Sequence, residues 1–193
     1  MPSDHDPETA MHRSPWLLPP AWLLAIALAA AWPVAAQSPP AERAEATDGA
    51  EAEPAGPRTG DAWVDEQLAD IDRYAARHRQ TLADELVRYR DTPRVLADEL
   101  LGREDWTAGE TYFACALAQV VGRPCRAVVA ARDNDRARPW SELAEELGAA
   151  PGSAPYRRLK EGIAASYRRW ARPLALDAEL RRAIPEDARP PTP

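Results

Sequence analysis

Apolar residues recur every three or four positions through most of the chain after residue 60, which is the spacing of one face of an α-helix. In residues 61–90 this spacing is followed by Val64, Leu68, Ile71, Ala75, His78, Leu82 and Tyr89. The pattern predicts a long amphipathic helix with His78 on its inward side, where a partly buried, hydrogen-bonded histidine is expected. Because no segment alternates apolar and polar residues over a useful length, we expect an all-α fold.

Residues that start and stop helices divide the next part of the chain. A short helix is expected from Pro93 to Gly102, because proline favours the start of a helix and glycine its end. Thr107 and Glu110 form a capping-box pattern, in which each side chain accepts a hydrogen bond from the other residue's backbone. The box precedes residues 111–121, which are apolar on nearly every side. We predict a single compact bundle of about five to seven helices, with this apolar helix near the centre.

Two further short helices are predicted over residues 139–160, after another helix over residues 124–131. The first has one apolar face, formed by Trp140, Leu143, Ala144 and Leu147. The second is capped by Ser153 and carries an apolar stripe of Tyr156, Leu159, Ile163, Tyr167 and Trp170. Both faces are suited to a core, so we expect Trp140 and Leu147 to be buried.

The N-terminal part of the chain has the features of an export signal. Residues 16–36 carry no charge and end in Val34-Ala35-Ala36, a small-residue cleavage site. We therefore predict a signal peptide over residues 1–36, with Met11 as the true start, and a periplasmic or secreted mature chain. The alternative is an uncleaved transmembrane anchor, since an apolar segment of about 20 residues can span a bilayer.

Composition sets the expected domain boundaries. Residues 37–60 contain no large apolar residue, so they are predicted to be a disordered linker. Residues 61–184 are predicted to form one α-helical domain. The proline-rich residues 185–193 are predicted to be a disordered tail.

Residues 139–160 match a pattern that runs W-x2-LA-x2-LG-x2-PGS-x2-[FY]-x2-LK. This pattern resembles one found in uncharacterised, mostly helical exported bacterial proteins. The resemblance covers about twenty residues and extends more loosely to YFACALAQVVGRPC at residues 112–125. It implies a helical fold and carries no known activity or functional residues.

A nucleic acid is not expected to be a partner of this chain. The second predicted helix of residues 139–160 begins near Arg157 and Arg158, so the pair has some likeness to a helix-turn-helix. However, Pro151 and Pro155 lie where the turn would lead into a recognition helix. The chain is also acidic, with a formal net charge of −7. Binding to a phosphate backbone needs a basic surface, and an exported protein meets no genome.

Cys115 and Cys125 are the two cysteines of the chain. In an oxidising compartment such a pair is usually a disulfide, and a sharp turn after residue 122 would bring the two together. A redox-active dithiol is the alternative, but the pair lacks the C-x-x-C spacing that lowers a thiol pKa. The spacing of these cysteines and His78 does not support a metal site.

One helix face is strongly basic and is a possible binding surface. Its members are Arg157, Arg158, Lys160, Arg168 and Arg169. Such a face can hold anionic lipid headgroups or an acidic partner. The alternative is a solvated face opposite an apolar stripe, with Arg157 and Arg158 exposed, because arginine stems commonly cover apolar surface.

Two classes of function remain open from the sequence. The first is a structural or protein-interaction module with an unidentified envelope protein as partner, and with the membrane reached only through an uncleaved signal or weak basic-helix contact. The second is a small periplasmic hydrolase or lytic enzyme that uses Glu99 or Glu110 beside His78. The sequence shows no phosphate-binding loop, no Ser/His/acid set and no cofactor motif, which favours the first class.

Overall fold

A computed structural model describes residues 57–193. The predicted signal peptide and residues 37–56 of the predicted linker lie outside the described residues. Within residues 57–193 there are seven α-helices, a short 3-10 turn and no β-strand, which confirms the all-α prediction. The helices are α1 (Ala62–Tyr89), α2 (Arg94–Gly102), α3 (Ala108–Val120), α4 (Cys125–Asn134), α5 (Trp140–Glu146), α6 (Ala154–Arg169) and α7 (Ala178–Ala183). None of the seven has both the length and the apolar composition that a membrane span needs.

Helix α1 is long, as predicted, but it is kinked. Asp61 caps it, because one carboxylate oxygen accepts a 3.1 Å hydrogen bond from Val64 N. The backbone at His78 has φ −130° and ψ 37°, which is not helical. The prediction that His78 faces inward is wrong: its side chain is exposed. The kink changes the helical phase, so a spacing counted from Val64 does not hold at His78.

Helix α3 is the centre of the bundle and packs against α1, α2, α4 and α6. The capping box between Thr107 and Glu110 is confirmed. Every residue from 109 to 118 is buried. Helices α1 and α3 approach closely at Gly109, where a Cβ atom would lie 2.5 Å from the Leu68 carbonyl oxygen. Any larger residue at this position would push the two helices apart.

Cys115 of α3 and Cys125 of α4 form a disulfide, with Cα atoms 4.5 Å apart. This confirms the predicted pairing. Gly122 makes the required reversal between the two helices in the left-handed conformation, with φ +66°. The bond therefore fixes the start of α4 against the central helix.

The segment 139–160 forms α5 and the start of α6 around a turn, as predicted. Trp140 is fully buried, and its ring packs against Phe113 at 5.1 Å between centroids. Leu147 is only half-buried, in contrast to the prediction, because α5 ends before it and the chain turns away at Gly148 (φ +85°).

The predicted boundaries of the ordered domain are too narrow at both ends. Thr59 is buried and its backbone N–H donates to Asp65 at 2.9 Å, so residues 57–60 already belong to the folded unit. The tail at residues 185–193 also packs, since Leu174 N donates to the Pro191 carbonyl at 2.8 Å and Pro190 is buried. The prediction of a disordered tail is wrong, because these prolines cover the apolar surface around Leu174.

Candidate binding cleft at the kink of the first helix

A partly open cleft of about 440 Å³ lies between the kinked middle of α1 and the segment that follows α6. We call it the arginine–aromatic cleft. It is lined by Asp70, Arg73, Tyr74, Arg77, His78, Trp170 and Arg172. Four of these side chains are cationic or can become so, two more are aromatic, and one is acidic. This combination distinguishes the cleft from the apolar interior of the bundle.

A continuous set of aromatic rings forms one wall of the cleft. The Tyr74 ring lies 4.7 Å from the His78 ring and 4.8 Å from the Trp170 ring, measured between centroids. The planes of Tyr74 and Trp170 are inclined by 26°, which is a stacked arrangement. Tyr112 and Tyr167 support Trp170 from the core at 6.4 and 5.5 Å. The half-buried Trp170 is therefore held rigidly, and it offers the cleft a fixed apolar surface.

Asp70 organises the charged wall. Its carboxylate accepts hydrogen bonds from Tyr167 Oη at 2.5 Å, Arg172 Nη2 at 3.1 Å and Arg73 Nη2 at 3.2 Å. Burial opposes ionisation of Asp70, but the hydrogen bonds from Arg172 and Tyr167 outweigh it and hold its pKa below the ordinary value. The ionised Asp70 in turn keeps the Arg172 guanidinium 4.8 Å above the Tyr74 ring.

The cleft is positively charged overall. Asp70 is its one acidic residue, and it is shared between Arg73 and Arg172. Arg77 is exposed and forms no ion pair within residues 57–193. Three arginines against one aspartate leave an excess of positive charge before His78 is counted. Guanidinium groups bind carboxylates and phosphates through paired hydrogen bonds, so the cleft is suited to an anion.

Two unusual backbone conformations occur at this cleft. One is the non-helical residue His78 inside α1. The other is Ala171, which has φ +53°, a conformation that strongly favours glycine, and which lies between the lining residues Trp170 and Arg172. Such outliers concentrate at functional sites, because the surrounding structure must hold them in place.

Comparisons of the chain with protein families, curated proteins and solved structures found no match. No activity can therefore be transferred from a relative. The function is inferred from the side chains that the fold brings together.

Lys160 does not belong to an exposed basic surface, in contrast to the prediction. It is only 4% exposed, and its ammonium group donates to Asp61 Oδ2 at 2.7 Å and to Asp177. The Trp63 ring lies 5.3 Å from it. Helix α6 turns this position towards the N-termini of α1 and α7, so the charge is neutralised inside the molecule.

Of the other four residues of the predicted basic surface, three are exposed and one is partly buried. Arg169 is turned towards the buried Glu85, to which its Nε donates at 3.0 Å. Arg157 is exposed, as expected, and pairs with Glu179 at 2.8 Å. Arg158 and Arg168 are also exposed. The basic stretch of α6 therefore presents only part of its charge to solvent, and its role in binding stays a prediction.

The acids considered for catalysis are not brought to His78. Glu110 is buried and accepts hydrogen bonds from Arg132 and from Trp140 Nε1, both at 3.2 Å. Glu99 is exposed on α2. Neither residue lines the cleft that contains His78. The carboxylate of Glu110 thus has a structural role at the start of α3.

The pKa of the Asp72 carboxyl group is raised above its ordinary value. Burial is the main cause, and the nearby charge of Glu110 adds to it. Asp72 borders a separate cavity of about 330 Å³. However, its carboxylate accepts a 2.7 Å hydrogen bond from Gly109 N, so it caps α3 from the neighbouring helix α1. This structural role accounts for its position.

The arginine–aromatic cleft was missed at the level of sequence, although part of it has a local signal. Arg73 and Arg77, like Tyr74 and His78, are four residues apart and therefore neighbours on one helix face.

Both cysteines are in the disulfide, and residues 57–193 contain no cluster of His, Cys, Asp and Glu that could hold a metal ion.

Proposed function

We propose that this protein is an exported interaction module that binds an acidic segment of another envelope protein in the arginine–aromatic cleft. The observation that carries the proposal is the presence of Trp170, Tyr74 and three arginines in one partly open cleft. Tryptophan, tyrosine and arginine are the residues that contribute most to binding energy at protein interfaces. Here the core tyrosines hold Trp170, and Asp70 holds Arg73 and Arg172, so these side chains gain little further order on binding.

The chemistry of the cleft favours a peptide with both an acidic and an apolar side chain. The exposed Arg77 guanidinium can form paired hydrogen bonds with a glutamate or aspartate of the partner. The half-buried Trp170 offers a face on which an aromatic or aliphatic side chain can pack. An acidic peptide is attracted to the local excess of arginine, even though the whole chain is acidic.

Export is part of the proposal. The uncharged residues 16–36 with their small-residue cleavage site support it, and so does the disulfide between Cys115 and Cys125. In this view, residues 37–193 are the mature protein. Intact-mass measurement of the periplasmic protein should give a chain that begins at Gln37, and retention of residues 1–36 would contradict export with cleavage.

The binding proposal is tested with a labelled peptide that carries glutamates on both sides of a phenylalanine. Fluorescence anisotropy with residues 37–193 should show binding that is lost when glutamine replaces the glutamates. Arg77→Glu should abolish binding without loss of the fold. Arg88→Glu is the matched control, because Arg88 is an exposed arginine of the same helix outside the cleft. Equal binding by the two variants would show that the cleft is not the binding site.

A further inference from the structure

Arg90 is a buried cation without a buried counter-charge. The residue is only 7% exposed. Its guanidinium donates to neutral acceptors alone, namely the carbonyls of Tyr89 and Gly162, Gln119 Oε1, Tyr112 Oη and Ser166 Oγ. Its Nε has no hydrogen-bond partner, and within residues 57–193 it forms no ion pair. Buried charges are normally paired with an opposite charge, so an unpaired buried guanidinium is unusual.

The acid of the same network is already engaged. Glu85 is buried and accepts a 2.6 Å hydrogen bond from Ser166 Oγ and a 3.0 Å hydrogen bond from Arg169 Nε. Arg169 supplies its counter-charge. Glu85 reaches Arg90 only through Ser166. The positive charge of Arg90 is therefore left without a carboxylate of its own.

Arg90 lines a cavity of about 540 Å³, and two further arginines line it too. Arg123 and Arg126 are exposed and form no ion pair within the part of the chain that the structure describes. Asp91 is the one acidic residue of the lining. Three arginines against one aspartate make the cavity positively charged. Its volume lies within the range of about 300–1,000 Å³ that is usual for small-molecule sites.

Helix α4 begins at the wall of this cavity. Its N-cap residue is Pro124, which makes no side-chain capping hydrogen bond, and Pro124, Cys125 and Arg126 all belong to the lining. The uncapped N–H groups of a first helical turn add to the positive potential around an anion. This contribution supports the three arginines and does not replace them.

We infer that this cavity binds the phosphate group of a phosphomonoester. The phosphate supplies the counter-charge that Arg90 lacks, and Arg123 and Arg126 bind its outer oxygens through their guanidinium groups. The cavity is larger than a phosphate ion alone requires. Pro93 and Leu96, which also line it, provide an apolar surface for the organic part of the ligand. This site is separate from the arginine–aromatic cleft, and the inference does not depend on the proposed function.

The first test uses inorganic phosphate as the probe and the mature protein, residues 37–193. Thermal unfolding is followed in increasing phosphate, with sodium chloride at equal ionic strength as reference. A specific site raises the Tm with phosphate concentration beyond the chloride series, since the ligand binds only the folded state. The double variant Arg123→Gln/Arg126→Gln should bind phosphate at least about tenfold more weakly, because charge-assisted pairs are lost.

A matched control uses Arg168→Gln/Arg182→Gln, which removes two exposed arginines that do not line the cavity. This variant should keep the full response to phosphate. An equal response in both double variants, or no response in the wild-type protein, would overturn the inference. Because Arg123 and Arg126 are exposed, both double variants are expected to fold, and circular dichroism checks this.

The phosphate can come from a free ester or from a lipid headgroup, and a second arm separates the two sources. Co-sedimentation is measured with vesicles of phosphatidylcholine that contain phosphatidic acid, whose headgroup is a phosphomonoester, and with vesicles of phosphatidylcholine alone. Binding to the anionic vesicles alone, lost in Arg123→Gln/Arg126→Gln, assigns the phosphate to a lipid. A phosphate-dependent Tm without vesicle binding assigns it to a soluble ester.

Discussion

Lys160 donates a 2.7 Å hydrogen bond to Asp61, although 99 positions separate the two residues in the chain. The other oxygen of Asp61 caps α1 through Val64 N. Lys160 also donates to Asp177, which caps α7 by accepting a 2.8 Å hydrogen bond from Leu180 N. One ammonium group on α6 therefore holds the N-terminal caps of two other helices. Burial opposes its charge, but the hydrogen bonds to Asp177 and Asp61 outweigh this and raise the Lys160 pKa.

We expect Lys160→Met to lower the free energy of unfolding by about 3–5 kcal/mol, because two partly buried carboxylates would lose their shared cation. Urea unfolding at neutral pH measures the change. Arg158→Met is the matched control, since Arg158 is exposed on the same helix, and it should cost less than about 1 kcal/mol. Similar losses in the two variants would contradict the role given to Lys160.

The helices could be predicted from sequence because their signals are local. The box formed by Thr107 and Glu110 spans one turn, and Ser153 caps α6 within three residues. The partners of Lys160 could not be predicted in the same way. Asp61 and Asp177 meet it only after three helices have packed, so the residue looked like one more cation on a basic face.

The arginine–aromatic cleft could not be predicted from the sequence for the same reason, since part of it forms only when helices pack. Tyr74 and His78 are neighbours on α1, but Trp170 reaches Tyr74 only through the packing of α6 against α1. The kink at His78 lacks the usual local causes, because the helix contains neither proline nor glycine. A regular 3.6-residue period therefore placed His78 on the wrong face.

The ion pairs of Asp70 predict how stability depends on pH. Because the Asp70 pKa is lower in the folded protein than its ordinary value of 3.8, the ionised group stabilises the fold fully above that value. This contribution is lost as the pH falls through the lowered pKa. Asp70→Asn should therefore be less stable than wild type at pH 7 and should lose less unfolding free energy on acidification. Denaturant unfolding of wild type and Asp70→Asn at a series of pH values from 7 downwards measures the difference in stability and its change with pH.

Asp72 gives a contrasting variant for the same measurement. Its pKa is raised by burial, so folding favours its protonated form and its contribution falls as the pH rises above the ordinary value. Asp72→Asn should therefore make the loss of stability on acidification steeper than in wild type. If Asp70→Asn and Asp72→Asn changed the slope in the same direction, the assigned directions of the two pKa shifts would be wrong.

Within residues 57–193, Trp140 is the largest fully buried side chain, and its truncation tests the core. The ring packs edge-on against Phe113 and Trp106, and its N–H donates to Glu110. We expect Trp140→Ala to cost about 3–5 kcal/mol, as a large cavity replaces the indole. Val95→Ala should change stability by less than about 0.5 kcal/mol, since Val95 is 80% exposed. A Trp140→Ala protein as stable as wild type would contradict this packing.

The disulfide closes a loop of ten residues between Cys115 and Cys125. In the chain-entropy description, a loop of about this length contributes a little under 3 kcal/mol. The double variant Cys115→Ala/Cys125→Ala should therefore have a lower Tm and an unchanged helix content at ambient temperature, because α3 and α4 also pack through apolar contacts. Circular dichroism measures both. Free thiols in protein purified without reductant would contradict the bond itself.

A substitution at Ala171 tests whether the backbone at the cleft is strained. Its φ of +53° lies in the left-handed region, where an alanine costs about 1–2 kcal/mol more than a glycine. The chain needs this conformation, because Arg172 N bonds to the Tyr167 carbonyl at 2.9 Å and closes the end of α6. After allowance for the greater freedom of glycine in the unfolded chain, Ala171→Gly should raise the free energy of unfolding by about 0.5–1 kcal/mol. Ala69→Gly, at an exposed helical position of α1, should lower it by about 1 kcal/mol. Equal losses in the two variants, measured by urea unfolding, would show that position 171 is not strained.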